Sequence, residues 1–169
     1  MNGTIRHILL ALLLILAQGA LDNYVNLTVY LDLSLCLFII LTLPFRWGTV
    51  PTMLTAFTIG IVTDILGNGI PGMSAAAMTA AGLCRRSLLL ATASAEKDKQ
   101  TIDSLGVRRF VLYSAPIILI YMTVYILLDS SGFRPAGQCL ARLGISLAAN
   151  TAMMAFLYTL STENHSRRK

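Results

Sequence analysis

Six apolar runs, joined by stretches too short to fold alone, constrain what this chain can become more than any other feature. The runs cover roughly residues 6–22, 27–44, 50–66, 72–91, 108–128 and 137–160. Each approaches the ~20 residues that an α-helix needs to cross a bilayer. Only 12% of the residues are charged, against about a quarter in a soluble domain, so too little polar surface exists to wet a globule. The expected fold is therefore all-α: an integral membrane protein forming a compact bundle of six transmembrane helices. Residues 1–169 make one polytopic domain, with a loop at 92–107 and a polar tail at 161–169.

The first run follows Arg6 and His7 and has the length of a secretory signal peptide. Gln18 spoils the nearest A-x-A pattern and five apolar runs follow, so an uncleaved first span is expected. The second run carries Asp32 and stops at Pro44, and Trp47 and Arg46 lie in the next turn as interfacial anchors. Beyond Asp32 its clean apolar stretch is only about 17 Å at ~1.5 Å per residue, well short of the ~30 Å hydrocarbon core. The third run has Pro51 in its first turn, where a missing N–H is harmless. The fourth is rich in Ala and contains Arg85-Arg86, and the fifth contains Pro116, which a membrane helix tolerates if neighbours satisfy the freed carbonyl.

Lys and Arg mark the cytoplasmic side of a membrane protein. With the N-terminus inside, 11 of the 13 basic residues fall on inner loops and termini, leaving Arg134 and Arg142 outside. Asp22, Asp32, Asp64 and Asp129 fall toward the outer side. Both termini are thus expected in the cytoplasm, with Arg85, Arg86, Arg108 and Arg109 forming a basic cytoplasmic surface. Segregation of this kind points to a phospholipid membrane as the basic residues' partner and away from nucleic acid.

Helices in lipid associate through small residues that let backbones approach. Ala56, Gly60, Asp64 and Gly67 form one stripe on the third run, and Ala76-Ala80-Cys84 and Ala77-Ala81 line the fourth. Gly144, Ala148, Ala152 and Ala155 do the same on the sixth. A tight hairpin of the third and fourth helices is expected. Asp64 is the most informative residue: a carboxylate within a span costs ~3 kcal/mol at the helix centre, and the C-terminal end of its own helix disfavours negative charge. Two partners are open to it, an outer arginine (Arg134 or Arg142) or the backbone amides of the Gly67–Gly72 turn.

Sites for chemistry are sparse in the sequence. Cys36, Cys84 and Cys139 are far apart in apolar stretches, so they read as inert thiols and support neither disulfides nor zinc. His7 and His165 stand at opposite ends of the chain, and no Walker A, HExxH or GxSxG motif occurs. No cofactor, metal or catalytic residue is expected. Arg85-Arg86 could hold a phosphate or a phospholipid headgroup, though an inner positive anchor accounts for the pair.

Leu41-Thr42-Leu43-Pro44-Phe45, Gly60-Ile61-Val62-Thr63-Asp64 and Pro71-Gly72-Met73-Ser74-Ala75-Ala76-Ala77 resemble the rod shape-determining protein MreD family, in a Bacteroidota-like form. The G-x-x-x-D ending the third span and the Pro/Gly turn and Ala-rich helix after it agree in order and spacing. Leu105-Gly106-Val107-Arg108-Arg109-Phe110 and Tyr113 are also similar, so the resemblance extends over nearly the whole chain. It implies structural roles for Gly60, Asp64, Gly67, Pro71 and Gly72. It also implies a non-enzymatic subunit of the bacterial elongation complex in the inner membrane. Such a subunit associates with the bitopic MreC and, through it, links MreB filaments to the peptidoglycan polymerase RodA and its transpeptidase, maintaining cell shape. Asp32 and the charged segment 96–99 have no place in the pattern.

Two other readings compete. Substrate-binding subunits of energy-coupling-factor vitamin transporters are similar six-helix bundles. They dock through an A-x-x-x-A face on the first helix, and here Ala11, Ala17 and Ala20 lack that spacing. A membrane enzyme acting on lipid-linked substrates would need the outer aspartates to converge with an acid, base or metal partner.

Overall fold

Helices form wherever the apolar runs allow one face to pack and the other to meet lipid. The computed structural model describes residues 3–24, 31–44, 47–67, 70–92, 106–130 and 135–166. Its helices are α1 (Gly3–Tyr24), α2 (Leu37–Thr42), α3 (Thr49–Leu66), α4 (Met73–Thr92), α5 (Val107–Ser130) and α6 (Ala136–Ser166), and no strand occurs among the described residues. α3, α5 and residues Ala136–Thr162 of α6 are each long and apolar enough to cross a membrane. α6 runs past the expected boundary at 160, so the first part of the tail is helical. Most of the 92–107 loop, and Arg134, lie outside the described residues.

Polar contacts fix the order of ends. Asn23 near the end of α1 donates to the Leu66 carbonyl at the end of α3 (2.8 Å), and Asp64 of α3 bonds the start of α4. Asp129 at the end of α5 meets Arg142 near the start of α6. At the other end, Arg85 of α4 reaches the Leu43 carbonyl beyond α2, and the Tyr158 hydroxyl of α6 accepts from Gly106 N before α5 (3.1 Å). Successive segments therefore run antiparallel between an acidic end and a basic end.

The second run departs from expectation. It is not a helix over 27–44: residues 31–34 are non-helical, and only Leu37–Thr42 form a regular helix. Leu37, Phe38, Ile39, Ile40 and Leu41 are all buried, so α2 has no outward face and sits in the core. A helix that is apolar all round belongs inside. The non-helical stretch also lengthens the segment: residues 31–34 can each advance up to ~3.3 Å, about as far as two helical residues at ~1.5 Å each.

Around this centre the polar and apolar residues are inverted relative to a soluble protein. Leu12, Leu13 and Leu16 of α1, Leu54 and Ile65 of α3, Leu127 of α5 and Phe156 of α6 are exposed. Gln18, Ser34, Asp64, Arg85, Ser114, Arg142 and Asn150 are buried. Apolar surface on this scale needs a non-aqueous surrounding.

The closest helix approach is the α3–α4 hairpin. A Cβ on Gly60 would stand 2.4 Å from Ala75 Cα, so only glycine lets the backbones meet here. Ala56, Ala77 and Ala81 are fully buried at the same interface or next to it. The other small-residue faces are corrected by the structure. Ala76 is exposed and Ala80 only half-buried, while Gly144, Ala148 and Ala152 face away from the bundle, with nothing near Gly144. α6 instead packs through Arg142, Ser146, Asn150, Met154 and Tyr158. Polar side chains, Arg142, Ser146 and Asn150, mark the first half of its inner face.

Candidate functional site

The acidic end gathers Gln18, Asp22, Asp32, Asp129, Arg142 and Asn150 around the non-helical segment. Backbone groups there have no ladder to join, and non-helical chain at membrane depth survives only where protein satisfies it. Two amide side chains do so from opposite sides. Gln18 of α1 donates to the Leu33 carbonyl (3.0 Å) and accepts from Leu35 N (2.6 Å), while holding Asp22 at 2.8 Å. Asn150 of α6 accepts from Ser34 N (2.9 Å) and donates to the Asp32 carbonyl (2.6 Å). Ser146, one turn earlier, accepts from Asp32 N at 3.0 Å.

Arg142 completes the clamp. It is 8% exposed and bonds Asp32 through two nitrogens, Nε–Oδ2 at 2.5 Å and Nη2–Oδ1 at 2.8 Å, while its Nη1 bonds Asp129. The fork of the guanidinium matches a carboxylate in this two-point geometry. One cation thereby ties the second segment, α5 and α6 together. Sequence reasoning offered Arg142 to Asp64, left Asp32 unassigned and did not single out Gln18 or Asn150. Polar amides inside apolar runs were the signal that could have found them.

With Arg142 taken by Asp32 and Asp129, and Arg134 outside the described residues, Asp64 holds backbone. It is 5% exposed, and its oxygens accept from Gly72 N (2.8 Å), Ser74 N (3.1 Å) and Ala75 N (3.4 Å). The penalty at the end of α3 is offset by the positive end of α4, whose first N–H groups lack helical partners. Gly72 has φ +101°, a conformation that L side chains rarely adopt, and it aims its N–H at the carboxylate. Gly67 closes α3 by donating to the Thr63 carbonyl (2.9 Å), and Pro71 is exposed in the same turn. We expect Asp64→Ala to destabilise the protein by about 2–3 kcal/mol, since buried amides lose a charged acceptor. Asp64→Asn, which keeps one acceptor oxygen, should lose roughly half of that. Reversible unfolding in mixed micelles measures both, and an Asp64→Ala protein as stable as the parent would remove the cap from consideration.

At the basic end the expected surface divides. Arg86, Arg108 and Arg109 are exposed, but Arg85 is 2% exposed and points inward. It donates through Nη2 to the carbonyl of Leu43, beyond the end of α2. A cation is well placed where helix carbonyls run out. Phe110 stacks on Tyr158 with ring centroids 4.3 Å apart and meets Phe38 and Tyr113 edge-on, closing this end of the core.

The three cysteines are free. Among the described residues no group of three or more His, Cys, Asp or Glu side chains is arranged to hold a metal ion. What the arrangement does chemically is hold non-helical backbone and helix ends in a low-dielectric interior. Comparison with family models, curated proteins and solved structures finds no match to the chain.

Proposed function

We propose that this chain is a non-enzymatic, multi-pass subunit of the bacterial elongation complex, similar to the MreD family. In this reading it crosses the inner membrane six times with both termini cytoplasmic. It works with an MreC-like bitopic protein and, through that partner, with MreB filaments and the RodA–transpeptidase pair to maintain cell shape. The observation that supports it best is the Gly60–Asp64–Gly72 lock. The residues on which the resemblance turns hold two helices and their turn together, as a scaffold requires. The apolar exterior and the exposed Arg86, Arg108 and Arg109 at one end suit a bundle seated in lipid with its basic end inside.

Depletion in the native cell tests the proposal. Rod-shaped cells should widen and round, and affinity purification from membranes should recover an MreC-like protein. Normal shape with impaired vitamin uptake would overturn it in favour of a transporter's substrate-binding subunit.

A further inference from the structure

Among the described residues two arginines are buried, Arg142 and Arg85, and they are treated differently. Arg142 is saturated by two carboxylates, whereas no carboxylate pairs with Arg85 among the described residues. Arg85 donates to a neutral carbonyl, and among the described residues its buried Nε has no hydrogen-bond partner. Beside it, the fully buried Tyr113 of α5 turns its hydroxyl toward the guanidinium without a hydrogen bond of normal geometry. An unpaired charge in a dry interior is strongly unfavourable, and so is each unmade hydrogen bond.

We propose that Arg85 and Tyr113 form an anion site at the basic end of the bundle, and that it takes a phosphate group. A guanidinium only donates, and the phenol can donate beside it. The missing component is one negatively charged acceptor with several lone pairs. Phosphate oxygens meet that need and match the guanidinium fork. Electrostatics favour the same ligand. Arg86 follows Arg85 directly, and Arg109 lies one turn before Tyr113 on the same face of α5. Both are exposed, so they draw an anion toward the buried pair. The phosphate comes from a phospholipid headgroup or from solution. The headgroup source rests on the membrane reading above; the solution source does not.

The test uses the full chain, delipidated in detergent, with binding read by native mass spectrometry. The probes are phosphatidylglycerol, a phosphate-free glucosyl diacylglycerol, and inorganic phosphate alone. Phosphatidylglycerol should bind at least about tenfold more tightly than the glycolipid. Failure of inorganic phosphate to displace it assigns the site to the headgroup, and displacement assigns it to free phosphate; both support the site. Tyr113→Phe removes one hydroxyl and keeps the ring's packing, so the fold should survive while binding weakens about tenfold. Arg85→Met should abolish selectivity, with its thermal midpoint recorded alongside. Arg86→Gln should weaken binding by no more than about threefold. Equal binding of both lipids with no phosphate bound, or unchanged binding by Tyr113→Phe, would overturn the proposal, because Arg85 and Tyr113 then satisfy only each other.

Discussion

Arg142→Met should lower stability by about 3 kcal/mol, the low end of the ~3–5 kcal/mol lost when one partner of a buried ion pair is removed. The low end applies because the Asp32 and Asp129 side chains keep about a quarter of their exposure (23% and 27%) and so retain some solvation. Loss of the cation leaves two carboxylates facing each other and frees the second segment from α6. Neutralising the whole set, with Asp32→Asn and Asp129→Asn added to Arg142→Met, should recover most of the loss, since the repulsion goes with the charges. Denaturant titration in bicelles measures all three proteins. Stability of Arg142→Met within about 1 kcal/mol of the parent would mean that the cluster behaves as an exposed pair.

Gly60→Ala should be nearly as damaging, at about 3 kcal/mol, the upper end for an overpacked contact. The new methyl meets backbone, Ala75 Cα at 2.4 Å, Ala75 N at 2.6 Å and Ser74 C at 2.9 Å. Shortening residue 75 gives no relief, so α3 and α4 must spread and the Asp64 cap spreads with them. Gly82→Ala is the control. Its Cβ meets the Ala56 methyl at 3.2 Å, a shift of tenths of an ångström, and should cost under about 1 kcal/mol. Equal effects at the two glycines would show that close approach is not concentrated at Gly60.

Much of this fold is legible in the sequence because its signals are local. Apolar runs long enough for helices place α1, α3, α4, α5 and α6, and Pro44 and the turn around Pro71 separate the segments. The Gly60–Asp64 spacing puts both residues on one face of α3, so the hairpin with α4 follows. For Asp64 the residues left two partners open. The amide alternative holds because the Gly72 turn brings the first N–H groups of α4 back to it.

The rest depends on which surfaces end up inside. Alternation of basic and acidic ends, the positions of every helix but α2, and the α3–α4 contact are determined by the sequence itself. Only the tertiary structure decides that residues 36–41 sit in the core, that Arg85 is buried while Arg86 is not, and that α6 packs through Arg142, Ser146 and Asn150 and not through Gly144, Ala148 and Ala152. The physical reason is that lipid and protein interior are alike to an apolar side chain. Hydropathy then marks what leaves water without marking which side faces protein. In this chain that distinction is carried by Gln18, Asp32, Arg142 and Asn150, and their meaning becomes visible only when four distant positions come together around one stretch of non-helical backbone.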